Sequence, residues 1–216
     1  MSDMQTPLGL REQKKAQTRS NIVDASVGCF TELGYSGAST REIAKRAGVG
    51  QGLISYHFES KEALWKEAVE QVFLSQQTPF FKTPTAKMDN TQLRRAFIDS
   101  LYGYAQHCIE SPDLAMLLYH EAGQKSHRLG WLIEHHFIPS MQRLKPMYEL
   151  GIQRNLLRDM PFNVFAFSLT GVINTHFALH EVYHSVTGED PRDKLIGREL
   201  IEHISSMFLA RQHRSE

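Results

Sequence analysis

The sequence predicts an all-α protein: an N-terminal three-helix domain built on a helix-turn-helix, followed by a larger helical body. Three observations carry that expectation. Apolar residues recur at helical spacing over almost the whole chain. No run alternates β-branched and aromatic residues between hairpin signals, so nothing reads as a strand. Pro112, Pro161 and Pro191 fall where a first helical turn tolerates proline, and Gly34 and Gly188 fall where helices stop.

The first helix is expected over about residues 13–33, with Ile22, Ala25, Ser26, Cys29, Phe30 and Leu33 on one stripe and Gly34 ending it. Segments 40–47, 51–57 and 61–77 follow, the last burying Trp65, Ala68 and Val72. Thr78–Asn90 carries two prolines and several turn formers and reads as a hinge or loop. Five further helices are expected at about 91–109, 112–122, 128–153, 161–186 and 191–212. Pro146 lies inside one of them and should kink or split it.

Composition narrows the function classes. The chain has 216 residues, and at roughly 150 per domain it holds one large domain or two modest ones. With 41% hydrophobic and 22% charged residues it is of ordinary globular make-up, which excludes a disordered or collagen-like chain. Apolar runs such as Leu114–Tyr119 are far shorter than the roughly 20 residues that span a bilayer. The first twenty residues contain no apolar signal core. Cys29 and Cys108 lie far apart and read as core thiols of a reducing compartment. The expectation is a soluble cytoplasmic protein with no membrane partner.

Lysine and arginine balance aspartate and glutamate over the whole chain, 24 to 24, but not evenly along it. Residues 11–61 hold eight basic and five acidic side chains, leaving the rest mildly acidic. A basic module on an acidic body points to a polyanion partner at one end.

The residues Ala38–Lys61, ASTREIAKRAGVGQGLISYHFESK, say what that partner is. Ser39 and Glu42 have the spacing of a capping box, in which each side chain satisfies the other residue's free N–H. A short helix then buries Ile43, Ala44 and Ala47, Gly48 turns the chain with a positive φ, and Val49 plugs the corner. The second helix buries Ile54 and, four residues on, Phe58. Two short helices joined by a glycine turn make a helix-turn-helix over about 39–58. The N-terminal residues of such a second helix reach base edges in the major groove. Gln51 can pair bidentately with adenine, and Leu53, off the buried stripe, can meet a thymine methyl. Thr40, Tyr56, His57 and Lys61, with the backbone around Gly50, suit phosphates.

This stretch resembles the DNA-binding domain of the TetR (tetracycline repressor) family of bacterial transcriptional regulators. The resemblance rests on Arg19, Ile22 and Ala25, on Phe30, Gly34 and Tyr35, on Thr40 to Val49, and on Tyr56, Phe58, Lys61 and Leu64. It covers about residues 13–75 and implies a second domain, 76–216, for ligand binding and dimerisation. It further implies phosphate contacts from Thr40, Tyr56, His57 and Lys61 and base contacts from Gln51, Gly52 and Ser55, with Arg41 on the same surface. Gly50 stands where the family often has serine, and Ser55 where tyrosine is frequent. The implied activity is a ligand-responsive regulator, a repressor, that binds a pseudo-palindromic double-stranded operator as a homodimer and is released by a small effector.

Beyond residue 90 the expectations are coarser. By analogy with the family, the last two helices pair across a two-fold axis, with Leu169, Ile173, Val182, Leu200, Ile204 and Phe208 in the seam. Two recognition helices about 34–36 Å apart would then face a pseudo-palindrome. Tyr104, Met116, His120, Trp131, Phe137, Asn174 and Phe177 are candidates to line an effector cavity, with ordinary helical core as the competing reading. His176, His180 and His184 recur every four residues, a spacing able to chelate a transition metal. A metal-sensing regulator on the same scaffold is therefore an alternative, and an all-α metal-dependent enzyme a more distant one. Glu181 and His184 form a single Glu-x-x-His pair, whereas a di-iron bundle needs two such pairs and further glutamates. No phosphate loop, G-x-S-x-G or H-E-x-x-H is present. The expectation is neither catalysis nor a cofactor.

Overall fold

The computed structural model describes residues 7–74, 83–85, 87–124 and 126–210. Eleven α-helices are formed among them: α1 Pro7–Gly37, α2 Thr40–Arg46, α3 Gly52–His57, α4 Lys61–Leu74, α5 Asn90–Glu110, α6 Asp113–Gln124, α7 His127–Leu132, α8 Ile138–Gln153, α9 Phe162–Ile173, α10 His180–Thr187 and α11 Lys194–Phe208. π-Helical turns at Ile133–Phe137 and Asn174–Ala178 extend α7 into α8 and prolong α9. Among the described residues the only β-type pairing is an isolated bridge between Leu157 and Leu209. The expected ends of the fourth and last helices, residues 75–77 and 211–212, and residues 78–82 and 86 of the expected hinge lie outside the described residues.

The chain divides into two compact units, one joining Met1–Ser75 to Met116–Ser126, the other joining Gln76–Ala115 to His127–Glu216. In the first, Ile22, Cys29 and Phe30 of α1 are buried with Ile43 of α2 and Leu64, Trp65, Ala68 and Val69 of α4. Leu33, expected on the same stripe, is exposed. The second unit closes around Leu93, Phe97 and Leu101 of α5, Phe165, Leu169 and Ile173 of α9, and Ile201, Ile204 and Phe208 of α11. Burying each such side chain contributes about 1.5–3 kcal/mol.

Local chemistry sets the element ends. Gly34 does not end α1 but kinks it: at φ 66° and ψ 173° it occupies a region open essentially to glycine alone, and helical backbone resumes to Gly37. Asp89 and Gln92 form a complete capping box at the start of α5, which the sequence reading passed over. Asp193 caps α11 through the amides of Leu195 and Ile196. α8 runs through Pro146 without splitting; the irregular turn lies upstream, at Ile133–Phe137. The expected single helix over 161–186 is broken at Leu179 (φ −102°, ψ 34°), where the axis bends by 71°. No single helix among the described residues is long and apolar enough to cross a membrane.

Candidate nucleic-acid interface

The turn between α2 and α3 is built from backbone geometry. The Ser39 hydroxyl accepts the Glu42 N–H at 3.1 Å. The other half of the expected capping box is absent: the Glu42 carboxylate accepts from Arg46 Nε one helical turn on, at 3.1 Å, and Arg46 also pairs with Glu32 of α1 at 2.8 Å. A charged partner four residues away outcompetes a neutral amide, and the same arginine ties α2 to α1. Gly48 turns the chain at φ 67°, and the Val49 N–H donates to the Ala44 carbonyl. Ile54 and Phe58 anchor α3 in the core.

With that side fixed, the other side of α3 faces outward. Gly50, Gln51, Gly52 and Ser55 are exposed, Leu53 is 39% exposed, Tyr56 is 64% exposed and His57 is half-buried. Arg41 is exposed and Thr40 half-buried at the start of α2. An added Cβ at Gly50 or Gly52 would meet nothing within 4 Å, so the fold itself does not demand glycine at either position.

Part of the charged surface beside α3 comes from α1, which the reading of the motif alone did not include. Lys15 Nζ stands 5.3 Å from the Tyr56 ring, and the Arg19 guanidinium lies over Phe58 while pairing with Glu67. Burial, then the nearby Lys15 and Arg19 charges, hold the His57 pKa below its ordinary value. The excess of basic residues over 11–61 was the available signal; which of them reach α3 depends on how α1 packs. Lys61 is engaged within the fold: its ammonium donates to the Tyr35 carbonyl and sits 4.4 Å from the Tyr35 ring centroid.

The candidate effector residues do not form one set. Tyr104 Oη donates to Asn174 Oδ1 at 3.0 Å, and the Cys108 thiol reaches the same oxygen at 3.3 Å. Burial pushes that thiol up to about 12, so it remains a protonated donor. Phe177, on the same π-helical turn as Asn174, is core. Trp131 stacks on His135 at 4.9 Å, and Phe137 closes the other π-helical turn, half-buried. Met116 and His120 cluster with the N-terminal helices instead, where His120 Nε2–H donates to the Thr31 carbonyl at 3.0 Å. A groove of about 640 Å³ between α5 and α11, lined by Arg94, Tyr102 and Arg198 among others, contains none of the candidates.

Two further expectations are corrected. Leu169, Ile173, Ile204 and Phe208 are buried within a single chain, so they cannot also face a partner; Leu200 is half-buried, and Val182 alone of the six is openly exposed. The stripe chosen for its hydrophobicity is the one that the chain uses for its own core. The exposed large apolar side chains of α9, α10 and α11 are instead Val164, Phe167 (75% exposed), Val182, Val186, Leu195 (74% exposed) and Met207. Nor do His176, His180 and His184 make a chelating face, because the π-helical turn and the bend at Leu179 interrupt the four-residue register. The Nδ1 atoms of His176 and His180 bond the Val172 and Phe177 carbonyls. No group of three or more His, Cys, Asp or Glu side chains among the described residues could hold a metal ion.

Known proteins match this arrangement. Residues 22–68 match the family described as "Bacterial regulatory proteins, tetR family". The transcriptional repressor NicS of Pseudomonas putida is 28% identical over 157 residues, 70% of this chain and 71% of that protein. The transcriptional regulator AcrR of Shigella flexneri is 41% identical over 59 residues, and there the match spans 27% of each chain. Among solved structures, HlyIIR, a hemolysin II transcriptional regulator, superposes with a TM-score of 0.66 at 27% identity, covering 91% of this chain and 99% of that one. A linker-substituted mutant of HlyIIR gives a TM-score of 0.72 at 26% identity, covering 92% and 99%.

Proposed function

We propose that the chain, of which residues 22–68 match the tetR family of bacterial regulatory proteins, is a homodimeric, effector-released repressor reading a two-fold operator in double-stranded DNA. One observation carries the DNA reading: α3 is pinned through Ile54 and Phe58 while Gln51, Leu53, Ser55 and Tyr56 project outward beside Lys15. Gln51 and Leu53 meet base edges, and Lys15, Thr40, Arg41, Tyr56 and His57 meet phosphates. Gly50 and Gly52 let the DNA backbone approach at the start of α3, where a side chain would stand in its way.

Residues 13–75 form the DNA-binding domain, and 76–216 carry the effector site and the dimer interface. Val164 and Phe167 of α9, with Leu195 and Met207 of α11, form the seam between two copies, since burying an exposed apolar face stabilises association. The polar cluster of Tyr104, Cys108 and Asn174 supplies the orienting groups of the effector site. The protein acts by binding rather than by catalysis, in the cytoplasm. Selection from a random duplex library by the full chain tests this: the account predicts an inverted repeat with half-sites about one helical turn apart, and recovery of no preferred duplex would overturn it.

A further inference from the structure

The groove between α5 and α11 contains none of the expected effector residues, yet its lining has a chemistry of its own. Both helices belong to one compact unit and share its core, through Phe97 and Leu101 on α5 and Ile201 and Ile204 on α11. Beside that core they leave a groove of about 640 Å³, within the size range of small-molecule sites. Arg94, Ile98 and Tyr102 recur every four residues along α5, and Arg198, Glu202 and Ser205 line the groove from α11. Ile98 and Tyr102 pack, partly buried, against the core and give the groove an apolar wall.

Most of its polar groups are already committed. Tyr102 Oη donates to the Arg198 carbonyl at 3.3 Å, and Ser205 Oγ donates to the Glu202 carbonyl at 2.8 Å. Glu202 accepts from Arg198 Nε at 3.1 Å, which leaves the two Nη nitrogens of Arg198 for another acceptor. Arg94 is half-buried and, among the described residues, has neither an ion-pair nor a hydrogen-bond partner. What the lining still offers is therefore donor capacity on two guanidinium groups. A guanidinium presents parallel N–H groups in a planar fork that matches a carboxylate.

Charge narrows the class further. Two arginines against one glutamate leave a single positive charge in the lining. Asp99, on the neighbouring turn of α5, is paired with Arg95 at 3.8 Å. Arg158, outside the lining, gives its Nε and Nη2 to the Leu209 and Ser206 carbonyls. A monoanion matches that balance better than a phosphate monoester, which carries close to two negative charges at neutral pH.

We propose that the groove between α5 and α11 binds a small amphiphilic monocarboxylate, its carboxylate held by Arg94 and Arg198 and its apolar body laid on Ile98 and Tyr102. The site is separate from the Tyr104, Cys108 and Asn174 cluster. Binding there needs neither DNA nor a second copy of the chain, so it stands or falls apart from the regulator reading.

Calorimetric titration of the full chain with hydrocinnamate, an aryl-alkyl monocarboxylate, tests this. The expected result is one saturable site per chain, no binding of the neutral hydrocinnamamide, and roughly tenfold weaker binding to Arg94→Gln. If Arg94→Gln does not fold, Arg94→Lys keeps the charge without the fork and should weaken binding in the same direction. Phenyl phosphate should bind the unsubstituted chain more weakly than hydrocinnamate does. Glu202→Gln, which removes the negative charge from the lining, should reverse that order. Undiminished binding by the folded Arg94→Gln chain overturns the proposal, as does the lack of a saturable site in the unsubstituted one. Tighter binding of phenyl phosphate than of hydrocinnamate to the unsubstituted chain overturns it too. If Asn174→Ala abolishes binding while Arg94→Gln retains it, the acid occupies the other cluster and the groove is not its site.

Discussion

Removing the Gln51 amide takes away a group that only a base edge would use, since nothing in the fold depends on it. Gln51→Ala is therefore expected to relax sequence preference at one base pair, costing about 1–3 kcal/mol on the selected site and little elsewhere. Lys15→Ala should weaken all sequences alike and flatten the salt dependence by about one ion, read from binding isotherms at several salt concentrations. His57 adds a pH dependence. Its pKa is depressed in the free protein by burial and by Lys15 and Arg19, and neighbouring phosphates would raise it again. DNA binding then takes up a proton, so affinity should rise as pH falls through the histidine range, and His57→Gln should abolish that slope. For folding the sign is opposite: a depressed histidine loses stability as pH falls below its unfolded value. Lys61 shows where motif reading stops at this scale. The spacing of Tyr56, Phe58 and Lys61 was legible, but the bond of its ammonium to the Tyr35 carbonyl depends on where α1 ends in space.

Helices show the same division between local and tertiary information. The order of the elements was legible because apolar periodicity, prolines and stop glycines are local. The two π-helical turns and the bend at Leu179 were not, because packing rather than composition decides them. The face proposed for the dimer differs from the stripe expected from sequence for a related reason: α9 is apolar on most of its circumference, so periodicity alone could not separate the stripe facing its own core from the one facing out. That difference can be measured. Phe167→Asp should leave the melting temperature nearly unchanged and convert the dimer to monomer by sedimentation. Ile204→Asp, which buries a charge in the core of the second unit, should unfold it. At the head of α2, Ser39→Ala should cost about 1 kcal/mol, since the hydroxyl holds the Glu42 amide alone.

The helix-turn-helix belongs to one compact unit of the chain, and the polar cluster of Tyr104, Cys108 and Asn174 belongs to the other. The reading end could be recognised from sequence because few residue combinations fold a tight helix-turn-helix with a polar outer face. An effector site could not, because aromatic and sulfur-bearing side chains serve core and ligand equally well. Tyr104, Asn174 and Phe177 came together only through the packing of α5 against the second π-helical turn, and His120 moved to the other unit. The central claim is that two copies of this chain present two α3 helices to one duplex. Sedimentation of the full chain with its selected duplex tests it most directly. The account predicts a complex of two chains per duplex, lost when either half-site is scrambled or Phe167 is replaced by aspartate. A single chain bound per duplex with undiminished affinity would contradict it.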